Sequence, residues 1–154
     1  PLLYAGLMSG TSLDGVDGVL AELSPGVRSI AHLHRPFDPA LRAELLALNR
    51  PGGTDELHRA ALAANGVALA YARVLHDLCA AAGVAPAAVR AVGAHGQTVR
   101  HRPEGRGYTL QLLNAARLAE AAGIDVVADL RSRDVAAGGQ GAPLVPAFHA
   151  AVFA

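Results

Sequence analysis

The stretch Gly6-Leu7-Met8-Ser9-Gly10-Thr11-Ser12-Leu13-Asp14-Gly15-Val16-Asp17 limits the folds open to this chain more than any other. One apolar run, residues 2–7, enters it and a second, residues 16–23, leaves it. Two strands joined by so short a polar, glycine-rich turn form a hairpin. Its tip offers backbone N–H groups and the hydroxyls of Ser9, Thr11 and Ser12, and Gly10 and Gly15 open the main chain to close approach by a ligand. A loop of this composition suits phosphate. It is not a Walker A loop, because no Lys follows the glycines, and not a dinucleotide fingerprint, because a strand follows where that motif needs a helix. An ordinary Gly/Asp turn has the same composition, so the segment by itself leaves both readings open.

Beyond the hairpin, Ser24-Pro25-Gly26 is a turn and residues 27–34 alternate as a third strand in which neither face is purely polar, as expected for a sheet covered on both sides. Asp38-Pro39 caps a short helix running to Leu48. Thr54 is placed to cap a long helix closed by Gly83, with Leu57, Ala61, Ala64, Ala68, Tyr71, Leu75, Leu78 and Ala82 as its buried stripe. His58 and His76 fall beside that stripe and read as surface residues, and Cys79 as a small packed hydrophobe. Residues 89–94 form a fourth strand ending in a tight polar turn, His95-Gly96-Gln97-Thr98, and residues 100–107 an exposed basic loop. A short strand over 108–112, a helix over 114–122 and a buried strand over 125–128 follow, then Asp129-Leu130-Arg131-Ser132-Arg133-Asp134, a glycine-rich segment and an apolar run, 144–154, that opens a helix.

Three meandering strands followed by alternating helices and parallel strands predict an α/β, ribonuclease-H-like lobe of the actin-type ATPase kind. Its mixed sheet has three antiparallel strands, then parallel ones, with helices on both faces. In that architecture the first hairpin binds phosphate, an analogy of fold and not of function.

Composition narrows the partners. Thirteen basic residues, all Arg, balance thirteen acidic ones, which leaves no nucleic-acid footprint. The single cysteine, Cys79, rules out an intrachain disulfide and a cysteine zinc cluster and fits a reducing cytoplasm. With no membrane-length apolar run and no charged, signal-like start, the expectation is a soluble cytoplasmic protein without membrane contact.

Three polar clusters lie at strand ends, where parallel sheets present their ligand crevices. In the hairpin, Asp14 and Asp17 are available to hold magnesium directly or through water. His95 and Gln97, on a glycine turn after a buried strand, suit sugar hydroxyls, although a turn satisfying its own backbone is the plain alternative. His95 and His101 have no recognised metal-ligand spacing. In the third cluster two carboxylates and two guanidinium groups fall within six residues. An exposed salt-bridge cluster contributes only about 0–1 kcal/mol per pair, a poor reason for such crowding, whereas Arg grips a carboxylate well. The glycines at 138, 139 and 141 suit close approach of backbone or ligand.

Together, the opening hairpin, residues 93–103 and residues 123–149 resemble the anhydro-N-acetylmuramic acid kinases of bacterial cell-wall recycling. The pairing of Met8-Ser9-Gly10-Thr11-Ser12-Leu13-Asp14-Gly15 with Ala137-Gly138-Gly139-Gln140-Gly141-Ala142-Pro143-Leu144 is highly specific. The resemblance implies an ATP- and magnesium-dependent enzyme that opens the 1,6-anhydro bridge with water and phosphorylates O6, giving N-acetylmuramic acid 6-phosphate. It implies that Gly10, Thr11, Ser12, Leu13, Asp14, Gly15, Val16 and Asp17 form the ATP phosphate loop. His95, Gln97 and Thr98 would line the sugar site, Arg133 would contact the sugar at its lactyl carboxylate, and Asp129 and Asp134 would support that Arg. A homodimer is left open.

Two departures stand out. Leu113 occupies a strand-to-helix turn where the family usually has Gly. Family members are also about twice as long, with a second lobe that carries the catalytic aspartate. Residues 1–154 are therefore expected to be the N-terminal lobe of a two-lobe kinase, inactive alone, with no catalytic residue of their own. A non-catalytic sugar- or protein-binding half-kinase is the alternative.

Overall fold

The antiparallel meander is present as expected. In the computed structural model, which describes residues 2–153, it consists of β1 (Leu3–Ser9), β2 (Gly15–Glu22) and β3 (Arg28–Pro36). Alternation places Ala5, Leu7, Val16 and Leu20 on one face of these strands and Met8, Asp17 and Val19 on the other. The sheet order is β3-β2-β1-β4-β5, and β6 (Val126–Ala128) also pairs with β4.

The fourth strand is much longer than expected. β4 (Val89–Arg102) runs parallel to β1 and β6 in its first half and antiparallel to β5 (Tyr108–Leu112) in its second. Residues 95–98 are therefore a bulge within a strand and not a tight turn. Gly96 adopts φ +78°, and the β1–β4 register slips beside it. A side chain there would meet the Leu112 carbonyl oxygen at 2.9 Å as well as bear the left-handed backbone. Beyond the bulge one more pair with β1, Ser9 with Gln97, remains, and from Gln97 onward β4 pairs with β5.

Asp38 caps α1 (Pro39–Leu48), its Oδ1 accepting from Ala40 N at 2.9 Å. The expected Thr54 cap is not formed. α2 (Glu56–Ala82) starts after Asp55, which lies in the left-handed region, and Glu56 reaches back to accept from Gly53 N at 2.6 Å. The stripe of α2 is correct from Ala68 through Leu78 but wrong in its first turns, where Leu57 is 89% exposed and Ala63 and Val67 are buried instead. The cause is α1, which packs against that end: a Cβ at Gly66 would lie 2.9 Å from Leu41 Cδ1. His58 and His76 are exposed and Cys79 is buried, with burial raising its thiol pKa.

α3 (Ala115–Ala122) begins at Asn114, whose Oδ1 accepts from Arg117 N, and packs on α2. Leu113 fits as the residue before that cap, half-buried against the core. α4 (Leu130–Ala136) follows β6 directly, and α5 (Pro146–Phe153) occupies the last apolar run; Ala154, which was expected to extend it, lies outside the described residues.

The core lies between the sheet and α2, whose Val67, Tyr71, Val74, Leu75 and Leu78 are essentially fully buried. α1 and α3 flank α2 on this same side. The mixed sheet with its helices is as expected, α1, α2 and α3 covering one face and α4 starting beside the other. On the second face Met8 stays 47% and Val127 51% exposed among the described residues, and Leu130 borders a shallow cavity with Gly6, Gly93 and His95. No helix among the described residues is long and apolar enough to cross a membrane.

Candidate active site

The bulge in β4 and the tip of the β1–β2 hairpin meet at one end of the sheet. At the tip, Leu13 N donates to the Gly10 carbonyl at 3.2 Å, and Leu13, at φ +56°, turns its side chain into the core. Arg42 of α1 donates to the Leu13 carbonyl at 2.8 Å and ties the turn to the helix layer. Thr11 and Ser12 are left exposed, and the space over Gly10 is open, the nearest atom to an added Cβ being Ser12 Oγ at 3.6 Å. Gly15 has a different reason. A side chain there would strike the Arg35 carbonyl of β3, so strand packing accounts for it and not ligand approach.

The two hairpin carboxylates diverge. Asp14 accepts from Ser12 Oγ at 2.7 Å, and that hydroxyl, helped by backbone hydrogen bonds, holds its pKa below the usual carboxylate value. Asp17 points from β2 toward β3, where His34 Nδ1 lies at 3.1 Å and His32 Nε2 at 3.7 Å. Among the described residues no three His, Cys, Asp or Glu side chains converge to hold a metal ion.

Beneath the tip, Gln97 is fully buried, and its Nε2 donates to the Gly10 carbonyl at 3.0 Å. It is a strut between β4 and the hairpin, and it does not line an open cavity. Tyr71 reaches the bulge from α2, its hydroxyl 2.9 Å from Ser9 Oγ and 3.1 Å from the Gly96 carbonyl. Burial pushes the Tyr71 phenol pKa up to about 12. Ser9, Tyr71 and Gly96 thus lock β1, α2 and β4 together at one buried point.

Beside the tip, Thr11, Thr98, His101, Gln111, Arg131 and Ala142 line a cavity of about 210 Å³. Thr98 and Gln111 are register partners on β4 and β5, with Gln111 Nε2 donating to Thr98 Oγ1 at 3.2 Å and to Thr109 Oγ1 at 2.7 Å. His101 Nδ1 continues this chain, 3.0 Å from Thr109 Oγ1. Gln97 Oε1 and Gln111 Oε1 have no hydrogen-bond partner among the described residues, an uncommon state for buried acceptors outside functional sites.

Arg131 enters this cavity from α4. Its Nε donates to His95 Nε2 at 2.7 Å and its NH1 to the Gly141 carbonyl at 2.6 Å. Burial, with the neighbouring Arg131 charge, lowers the His95 pKa. Arg133, expected at the sugar, is exposed on the same helix. Two residues apart on an α-helix means about 200° of rotation, so only one of the two can face the cavity. Asp134 is half-buried, its Oδ2 accepting from Gly141 N at 2.7 Å, and its carboxylate fills the space where Gly139 would carry a side chain. It shapes the glycine loop whose carbonyl holds Arg131. Asp129 sits in the left-handed region at the start of α4 and borders a separate shallow cavity with His95, Gln111 and Ser132.

The structure therefore brings Thr11, Thr98 and, through its backbone, Gly10 to one place, with Gln97 below and His95 behind. It leaves Arg133, Asp129 and Asp17 outside. Arg131, Gln111 and His101 are the additions; the helix over Leu130–Ala136 is what separates Arg131 from Arg133, and no local signal in the sequence announces its start.

The family model for anhydro-N-acetylmuramic acid kinase matches residues 2–154. Curated relatives carrying that name include proteins of Albidiferax ferrireducens, 63% identical over 98% of this chain and 40% of the relative, and of Variovorax paradoxus, 64% identical over 99% and 41%. That of Bordetella pertussis is 64% identical over 99% of this chain and 40% of its own length. The chain thus spans about 40% of the length of these relatives.

Proposed function

The chain belongs to the anhydro-N-acetylmuramic acid kinase family, and from that premise we propose that it is the N-terminal lobe of a two-lobe, ATP-dependent cytoplasmic kinase. The substrate is 1,6-anhydro-N-acetylmuramic acid, whose anhydro ring is opened with water and whose O6 receives the phosphoryl group. The observation that carries the reading is the shared wall of hairpin tip and polar cavity: Thr11 belongs to both, and Gln97 bonds the Gly10 carbonyl. A phosphate donor over Gly10, Thr11 and Ser12 would lie directly beside a sugar held by Thr98, Gln111 and Arg131.

Each residue then has a chemical task. The open backbone at Gly10 and the Thr11 hydroxyl receive phosphate oxygens, while Leu13 in the core and Arg42 on its carbonyl keep the turn from deforming. Thr98 meets sugar hydroxyls. Arg131 takes the role expected of Arg133 and grips the lactyl carboxylate, a geometry for which a guanidinium is built. Asp14 fits a magnesium ion, being exposed and held ionised, and magnesium sites commonly need only one or two carboxylates beside the nucleotide phosphates. When bound, magnesium neutralises phosphate charge as it develops. Asp17, already facing His34, is not needed for this. The general base and the closing wall of the cleft belong to the second lobe.

The test is direct. The intact protein carrying this lobe is incubated with ATP, magnesium and the anhydro-sugar, and the product is followed by mass spectrometry. N-acetylmuramic acid 6-phosphate is expected; ATP-dependent phosphorylation of some other sugar alone would sink the substrate assignment.

A further inference from the structure

His95 faces Arg131 in a way that fixes its tautomer. Nε2 accepts from Arg131 Nε at 2.7 Å and so carries no proton; the ring hydrogen is on Nδ1, which donates to the Gly96 carbonyl at 2.7 Å. Both nitrogens of the imidazole are used, and neither is left for a ligand. Arg131 commits one further N–H to the Gly141 carbonyl, its other guanidinium hydrogens have no hydrogen-bond partner among the described residues, and the residue lines the cavity with Thr11, Thr98 and Gln111.

We propose that His95 is a positioning residue for this kinase: it makes no contact with the sugar and acts by holding Arg131 at the angle that presents its free edge to the sugar carboxylate. This rests on the sugar-kinase reading above. The Gly96 bulge is what turns His95 into that position, and the knot of Tyr71 and Ser9 on the Gly96 carbonyl keeps the bulge in place.

The arrangement has a pH signature. Protonated His95 would turn an N–H toward a guanidinium that also donates, and the contact would be lost. The charged or titratable groups around it are Asp17 of β2 and His32 of β3 in one bordering cavity, Asp129 before α4 in the other, and Arg131 of α4 in direct contact with the ring. Of these, Arg131 bonds the ring, so the neutral form is the one favoured at neutral pH.

The experiment measures KM and kcat for the anhydro-sugar from pH 5 to pH 8 in the intact kinase and in His95→Gln and His95→Ala. A glutamine amide oxygen accepts from Arg131 without titrating. The wild-type KM is expected to rise on the acid side as His95 takes up a proton, by about fivefold or more once the ring is charged, in line with loss of a charge-assisted hydrogen bond. His95→Gln should hold its KM within about threefold across that range, and His95→Ala should raise KM about tenfold at every pH with kcat changed far less. Imidazole ¹⁵N spectra of the sugar-free protein should show His95 protonated at Nδ1 at pH 7. If the wild type turns over the sugar but His95→Gln has the same acid-side rise in KM, or if Nε2 carries the proton, the positioning role is wrong while the substrate reading stands. If the wild type shows no sugar turnover at all, the substrate reading itself fails.

Discussion

Single side chains carry most of the site's logic, and Arg131 is the sharpest case. It and Arg133 are chemically equivalent and two residues apart, yet only Arg131 borders the cavity. Loss of a charge-assisted hydrogen bond costs about 1.5–3 kcal/mol, or roughly 10- to 100-fold in binding. Arg131→Ala in the intact kinase should therefore raise KM for the anhydro-sugar by about that factor, and Arg133→Ala should change it less than about threefold, both read from steady-state kinetics. Tyr71 gives a stability test at the same scale. Its phenol titrates near 10 unfolded and at about 12 folded, mainly because burial disfavours the phenolate. The folded state then holds a proton that the unfolded state loses, so the contribution is complete below pH 10 and declines as pH rises toward 12. A two-unit shift corresponds to about 3 kcal/mol at full loss. Denaturant unfolding should show the gap between wild type and Tyr71→Phe shrinking by about 2–3 kcal/mol over that window; a constant gap would mean that Tyr71 is not buried as a neutral donor.

Elements show where the sequence was legible and where tertiary contacts overrode it. Asp38-Pro39 announces α1 because both residues act locally, the carboxylate on orphan N–H groups and the ring on φ. The meander and its first hairpin turn are legible for the same reason: period-two alternation and short polar turns are local signals. β4 was read as stopping at residue 94 because His95-Gly96-Gln97-Thr98 has turn chemistry. What continues it is non-local, the pairing with β5 and the hydroxyls of Ser9 and Tyr71 on the Gly96 carbonyl. The choice between Arg131 and Arg133 was unreadable for a related reason, since it depends on where α4 begins. Thr54 is the converse error, a residue with cap chemistry whose place is taken by Glu56 bonding Gly53 N. Paired substitutions separate these cases. Asp38→Ala should cost about 1 kcal/mol in urea unfolding, the usual loss for a real N-cap, and Thr54→Ala less than about 0.5 kcal/mol. Equal losses would show that Thr54 caps α2 after all.

At the scale of the whole molecule, the proposed two-lobe reading needs a second wall to close the site. One face of the sheet is covered by α2 with its flanking helices, while the other keeps Met8 and Val127 about half exposed, with Leu130 of α4 beside it. The end with the cavity lined by Thr11, Thr98 and Arg131 opens outward. Phosphoryl transfer is catalysed by positioning and by charge stabilisation away from water, and an open half-site supplies phosphate contacts and an Arg without enclosing either reactant. Removing a single preorganised donor from an enclosed site already costs about 100- to 1,000-fold in kcat. On the two-lobe reading, lacking a whole wall and the base proposed for it must cost more. The 154-residue chain, placed alone with ATP, magnesium and the anhydro-sugar, should thus form product more than about 1,000-fold more slowly than the intact protein in an ADP-release assay. Circular dichroism on the same sample should still show its helices and a cooperative melt, since α2 and the sheet form one continuous core. A folded lobe that turned over within about tenfold of the intact enzyme would mean that the catalytic base lies within these 154 residues. The cavity beside Thr11 would then have to be searched for it, beginning with His101, the one titratable side chain there besides Arg131.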